Sequence, residues 1–255
     1  MRKKDIIVGR HPIIEALKNN IALDKILISK STRGEEIEHI IQLAKANNVF
    51  VQFVPIDKIN YLLFPIYQNQ MINHQGVVAL SAMIDYYSFE DIYNKCMDEG
   101  RSALFVVLDG VTDVRNFGAI ARSAKCFGVD AIVTTYKNSA MINAESIKVS
   151  AGALHTLPIC KVDRFEEFFG FVTLCGIRIF EAKNKSPKNI FQADFSVPMA
   201  LVMGSEEKGI SPFVQKYIDE SVEIPMTQNF DSLNVSVATG IILSEIYKQR
   251  IQEVL

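Results

Sequence analysis

Cysteine is scarce and scattered in this sequence. Cys96, Cys126, Cys160 and Cys175 form no Cys-x-x-Cys pair and have no histidine at ligand spacing. That argues against a disulfide framework or a zinc site, so no metal is expected, and a reducing cytoplasm fits. Each thiol is expected to be a small core residue. Long apolar runs are also missing: none approaches the ~18 residues of a membrane span. The opening Met1-Arg-Lys-Lys-Asp leads into Ile6-Ile-Val8, too short for the apolar part of a secretory signal. Neither charge sign is in large excess, since 27 Lys and Arg against 29 Asp and Glu leave a net −2. A protein that coats DNA would declare itself by positive charge, so DNA is not an expected partner. One that grips RNA through local patches need not do so. No Gly-x-Gly-x-x-Gly fingerprint occurs, which disfavours a dinucleotide-binding Rossmann domain. Repeats and low-complexity segments are absent.

What is present is an apolar fraction of 49% against 22% charged over 255 residues, enough for one large domain or two ordinary ones. Two regions of alternating strands and helices predict an α/β class. The first, 1–82, has a helix entry at His11-Pro12 with Ile13, Ile14 and Leu17 at helical spacing. A strand at Lys25–Ser29, a helix at Glu35–Asn47 carrying Ile37, Ile40, Ile41 and Ala44, and strands at Val49–Val54 and Gly76–Ala82 follow. Residues 83–102 read as a linker with a short helix. From 103 to 255 the alternation is cleaner. Leu104–Leu108 is an apolar run of the kind buried on both faces of a parallel sheet. A helix over Phe117–Phe127 is closed by Gly128, and strands are expected at Ala131–Thr135, Leu157–Val162, Arg178–Ala182, Ala200–Met203 and Ser221–Ile224. Helices are expected at Asn143–Leu154, Arg164–Cys175 and Leu233–Glu253.

Ligands of open parallel sheets bind beyond the carboxyl ends of strands, and three such ends here are polar. The first loop, Asp109 to Gly118, runs into a helix bearing Arg122. Asn116 and Arg122 lie about 120° apart around that helix, so they line one site only through the length of arginine. Equally, Asn116 is an N-cap and Arg122 a solvated surface residue. The second loop, Gly204-Ser-Glu-Glu-Lys-Gly209, brackets charge with glycine, as where backbone closely approaches a ligand. An ordinary acidic turn reads the same, and the Lys-Ser/Thr of a phosphate cradle is missing. The third, Ile224 to Ser236, ends with Ser232, Asn234 and Ser236 alternating into an apolar helix. Capping explains one of these three.

Taken together, the stretches Asn116-Phe-Gly-Ala-Ile-Ala-Arg122-Ser-Ala124, Leu201-Val-Met-Gly-Ser-Glu206-Glu-Lys-Gly209 and Ile224-Pro-Met…Ser232-Leu-Asn234-Val-Ser-Val-Ala238 resemble, in order and spacing across roughly 150 residues, the SpoU (TrmH) branch of the SPOUT methyltransferases. Val8-Gly-Arg-His-Pro and Asn73-His-Gln-Gly-Val-Val-Ala79 resemble the ribosomal-protein-like substrate domain of the family's 23S rRNA guanosine 2′-O-methyltransferases. The resemblance implies a C-terminal SPOUT-type α/β domain (103–255) with a parallel sheet and a deep trefoil knot, a small N-terminal α/β substrate-binding domain (1–82), and a homodimer. Topology rules argue against threaded chains, so the knot rests wholly on the resemblance. It further implies S-adenosylmethionine as cofactor, held by Gly204, Ile224 and Leu233 mostly through backbone groups. The 2′-O-methylated ribose belongs to structured RNA, with 23S rRNA favoured and tRNA the rival. Asn116, Arg122, Glu206, Ser232 and Asn234 would form the catalytic site.

Basic residues available to grip RNA include Arg2, Lys3, Lys4, Arg10, Arg33, Arg115 and Arg122, most of them read as solubilising charge, with Arg10, Arg33 and Arg115 expected to bind. The histidines are expected to be structural. Two other classes compete: an RNA-binding homologue that has lost catalysis, against which all five motif residues stand, and an unrelated α/β enzyme with coincidental loops.

Overall fold

The computed structural model describes residues 5–47, 49–67, 72–227 and 232–252. It divides into two compact units, Met1–Ile84 and Asp85–Leu255.

In the first unit, strands β1 (Ile6–Val8), β2 (Leu23–Ser29), β3 (Val51–Val54) and β4 (Val77–Ser81) form a sheet of order β1-β4-β2-β3. β2 and β3 are parallel, and β4 runs antiparallel to β1 and β2. The two-residue period of a strand sorts β4 between two cores. Val77 and Ala79 meet helices α1 (Arg10–Lys18) and α2 (Glu35–Ala46) through Ile13, Leu17, Ile37 and Ile40. Val78 and Leu80 meet α3 (Ile56–Tyr67) through Ile59 and Leu63. The strand at Ile6–Val8 and the helix at Ile56–Tyr67 have no counterpart in the sequence reading. β1 has only three residues, and α3 carries Pro65 in its last turn.

The second unit holds seven strands, β5 (Leu104–Asp109), β6 (Ala131–Thr135), β7 (Ile159–Val162), β8 (Arg178–Ala182), β9 (Lys188–Asn189), β10 (Met199–Gly204) and β11 (Glu220–Glu223). Their order is β7-β6-β5-β10-β8-β11-β9, and every neighbouring pair is parallel. The α/β class with a parallel sheet is therefore as expected. The helices are α4 (Phe89–Asp98), α5 (Val114–Cys126), α6 (Ala144–Val149), α7 (Phe165–Leu174) and α8 (Val235–Gln252). α5 lies against α6 and α8. Gly118 allows the closer of these contacts, because a Cβ there would stand 2.6 Å from the Ser146 carbonyl oxygen.

The short helix expected within 83–102 is α4, and it is tied to the second unit. Ser88 caps α4 by accepting from the Asp91 N–H, and Phe89 and Cys96 enter the core of the second unit. There Phe89 packs edge-on against Phe168, which packs on Phe105 of β5, both at 5.4 Å between centroids. Two other expectations need correction. The predicted helix Asn143–Leu154 is instead α6 followed by a single 3-10 turn at Ala153–His155, broken by left-handed Ala151 and Gly152. Finally, Cys126 is exposed rather than a core residue, whereas Cys96 and Cys160 are buried.

Replacing Phe89 by Ala should lower stability by about 3–5 kcal/mol, the cost of emptying a packed aromatic site; urea unfolding reads it, and a change below ~1 kcal/mol would show that Phe89 does not anchor α4. Burial pushes the Cys96 thiol up to about 11 and the Cys160 thiol up to about 12. Only the thiolate reacts, so a disulfide reagent at pH 8 should modify Cys126 quickly and leave Cys96 and Cys160 protected until the protein unfolds.

Candidate active site

The connections out of β5 and β10 diverge. After β5 the chain goes to β6 on one side, and after β10 it goes to β11 on the other. Between such strands a crevice opens at the carboxyl ends. Here those ends are Asp109 and Gly204, which face each other in register.

The three polar loops converge on this crevice, each tied by its own local chemistry. In the first, Asp109 accepts from the Ser211 N–H at 2.6 Å. Asp113 caps α5, its Oδ1 accepting from the Arg115 and Asn116 N–H groups at 2.9 and 2.8 Å. Asn116 is thus not the cap, and its amide is free to act elsewhere. In the second loop, Ser205 and Gly209 exchange backbone hydrogen bonds at 3.1 and 2.8 Å. This hairpin folds back on Gly204, where a Cβ would lie 2.2 Å from the Gly209 carbonyl carbon. The close approach that requires glycine is to the loop's own backbone. In the third, Asn234 caps α8. Its Oδ1 accepts from the N–H of Ser236 at 3.0 Å and of Val237 at 3.4 Å, and from the Ser236 hydroxyl. Residues 228–231 of this loop lie outside the described residues.

One atom joins the loops. Glu206 Oε1 accepts from Asn234 Nδ2 at 2.6 Å, Asn116 Nδ2 at 3.2 Å and the Val235 N–H at 3.2 Å. Asn234 Nδ2 also donates to Asn116 Oδ1 at 3.0 Å. Of the expected catalytic set, Asn116, Glu206 and Asn234 are in mutual contact.

Two cavities flank this cluster. One, of about 300 Å³, is lined by Gly204, Ile224 and Leu233, with Glu206 and Ser232 at its wall. The other, about 580 Å³, is lined by Asp109, Asp113, Asn116 and Glu206. Glu206 belongs to both. Arg122 lines neither; it is exposed on α5, and among the described residues it makes no hydrogen bond or ion pair.

The three arginines expected to bind RNA all have intramolecular partners. Arg115 donates to Glu145 at 2.5 Å, a bond that raises its guanidinium above the ordinary value. Arg10 donates to Glu36 at 3.0 Å and to the Gln75 carbonyl at 3.3 Å. Arg33 donates to the Lys30 and Thr32 carbonyls. Arg2, Lys3 and Lys4 lie outside the described residues. His74 is a satisfied structural residue: it accepts from the Gly76 N–H at Nδ1 and so donates from Nε2 to Asn60, and burial lowers its pKa. Sequence reasoning missed Glu181 and Gln215, which line the smaller cavity. Their contacts come from residues 34 and 40 positions apart, which leaves no local signal.

Residues 103–244 match the model of the SpoU rRNA Methylase family, and residues 6–87 match one described as RNA 2′-O ribose methyltransferase substrate binding. This chain belongs to the SpoU rRNA methylase family. A Staphylococcus epidermidis protein assigned to the TrmH family of tRNA/rRNA methyltransferases is 33% identical over 97% of this chain and 96% of its own. Bacillus subtilis YacO, assigned likewise, is 29% identical over 98% and 97%. Among solved structures, the SpoU methyltransferase AviRb from Streptomyces viridochromogenes, in complex with the cofactor AdoMet, shares the fold at a TM-score of 0.60, with 24% identity over 97% of this chain and 90% of that one. The A. aeolicus TrmH/SpoU tRNA modifying enzyme aligns at a TM-score of 0.55, with 29% identity over 64% and 86%. SpoU family members are RNA methyltransferases, and the three loops that carry the resemblance are the three that meet at Glu206.

Gly204→Ala should force the hairpin away from β10 and destabilise the unit by about 1–3 kcal/mol, as overpacking does. Chemical denaturation measures this, and wild-type stability would show that the hairpin yields freely.

Proposed function

We propose that this chain transfers a methyl group from S-adenosylmethionine to the 2′-hydroxyl of a ribose in structured RNA, with a guanosine of 23S rRNA as target. One observation carries the reading: Glu206, on the second loop and held by the other two, stands in the wall shared by two cavities. The smaller has the size and mixed apolar and polar lining of a small-molecule site, with Gly204, Ile224 and Leu233 at its surface. S-adenosylmethionine fits there, as the AdoMet complex of a fold neighbour also suggests. When bound, it supplies a methyl group already activated by a sulfonium centre.

The protein's task is then to present the ribose oxygen in line, an orientation effect worth up to ~7–11 kcal/mol. The larger cavity, with Asn116 on its wall, receives the nucleotide, and Ser232 completes the site from the cofactor side. Glu206 spends Oε1 on the loops. Among the described residues no hydrogen bond reaches its Oε2, which leaves that oxygen to position Arg122 or the ribose hydroxyl. Arg122 acts as a fork donor that neutralises phosphate and polarises the hydroxyl; a guanidinium has no lone pair to accept a proton readily.

Arg122 neighbours Ser123, which with Phe127 of the α5 end and Val237 and Ile241 of α8 lines a third groove, of about 630 Å³. Phe191, Val237 and Ile241 are exposed apolar residues there. A homodimer formed along this groove covers them and encloses Arg122. The trefoil knot that the family resemblance implies belongs with this reading. The division into a substrate-binding and a methyltransferase domain, a cytoplasmic location, and RNA contacts from Arg10, Arg33 and Arg115 belong with it too. A second reading, the same reaction on tRNA, is favoured by the likeness to a tRNA modifying enzyme.

Methyl transfer to naked 23S rRNA and to tRNA, with the products mapped, separates the two substrates. Arg122→Ala should lower turnover at saturating RNA on the order of 100-fold, in line with losing one preorganised donor, and Arg122→Lys should recover only part. Near-normal turnover of the Ala variant would remove Arg122 from the chemistry.

A further inference from the structure

Of the polar residues around the smaller cavity, Glu181 is the most buried. It stands one residue before the end of β8 and is 2% exposed. Its carboxylate meets only donors. Gln215 Nε2 reaches both oxygens, at 3.2 and 3.3 Å, and the Ser221 hydroxyl donates to Oε1. Lys183 Nζ lies 3.9 Å away but is half exposed. Contacts of this kind suit an ionised carboxylate, which is an acceptor only. Burying such a charge is costly. The Glu206 cluster makes no use of it.

The cavity's other charged lining residues, Glu206, Lys183 and Lys208, are exposed, so solvent screens them. A charge beneath the wall acts through a medium of lower dielectric and is felt several ångströms away. The two ends of the proposed reaction differ in this respect. The methyl donor carries a positive sulfonium; the product, S-adenosylhomocysteine, is a neutral thioether at the same atom and keeps every other group.

The geometry points to Glu181 as a specificity-determining residue that makes the cavity discriminate by charge, favouring the sulfonium donor over its demethylated product. Gln215 and Ser221 hold the carboxylate in place for that purpose. The inference rests on the S-adenosylmethionine reading of the cavity. Its effect is on the ratio of two affinities, so product leaves more readily than donor without any change in the cavity's shape.

Calorimetric titration of the full chain with S-adenosylmethionine, S-adenosylhomocysteine and sinefungin, whose protonated amine replaces the sulfonium, tests it. Glu181→Gln should weaken the two cationic ligands roughly tenfold and the thioether less than twofold. Glu181→Asp, which keeps the charge, should restore most of the preference. Equal weakening of all three ligands by Glu181→Gln, or a donor-to-product ratio unchanged by it, would overturn the charge role and leave the cofactor reading standing. Failure of the wild-type chain to bind any of the three would overturn both. A thermal melt of each variant without ligand identifies misfolding. If Glu181→Gln does not fold, the Glu181→Asp ratio decides: loss of the donor-to-product preference although the charge is kept overturns the inference.

Discussion

A single carboxylate oxygen holds the active-site end of the second unit together. Glu206 Oε1 accepts from two side-chain amides and one backbone N–H, drawn from the starts of α5 and α8. Each of these loops is separately capped, by Asp113 and by Asn234 itself, so their helices would form without Glu206. Their spacing would not be set. Glu206 and Asn234 are exposed, so each bond adds only about 0.5–1.5 kcal/mol, but three donors sharing one acceptor constrain one another. The wall between the two cavities is as well placed as this one contact allows.

The parallel sheet supplies the frame. Its switch point lies between β5 and β10, and the in-register pair Asp109 and Gly204 brings the first two loops to one edge before any side chain is considered. The Gly204–Gly209 hairpin then closes over that edge because its first residue has no Cβ. Backbone topology therefore selects the place, and side chains only finish it.

Much of this was legible in the residues. The central strands β5, β6 and β10 announce themselves as buried runs, whereas the two-residue β9 gave no signal, and α5 shows its inward face through Phe117, Ile120, Ala121 and Ala124. The three motifs named the loops that meet. What could not be read was which polar residue plays which part. Asp113 and Asn116 are both good caps, and only the turn geometry assigns the cap to Asp113. The alternation of Ser232, Asn234 and Ser236 looked like surplus polarity, yet Ser236 is spent on supporting the Asn234 cap. Phe89 went unremarked in a charged stretch, although Phe89, Ile92, Tyr93 and Cys96 carry the i, i+3, i+4, i+7 spacing of a helix's inward face. Glu181 was invisible because nothing local says that a charge at the end of β8 will be covered by Gln215 and Ser221 from more than 30 residues away.

The far end of α8 has a consequence for its beginning. Arg250 donates to the carbonyls of Ser102, Ala103, Phe195 and Val197, the segments that lead into β5 and β10. Asn234 precedes the same helix, which at 18 residues is about 27 Å long. The helix is a strut pinned at both ends of the same two strands, one end by a guanidinium under the sheet's entry and the other by an amide above its exit. Its length is thereby matched to theirs, and any change of register in β5 or β10 would be felt as tension along α8.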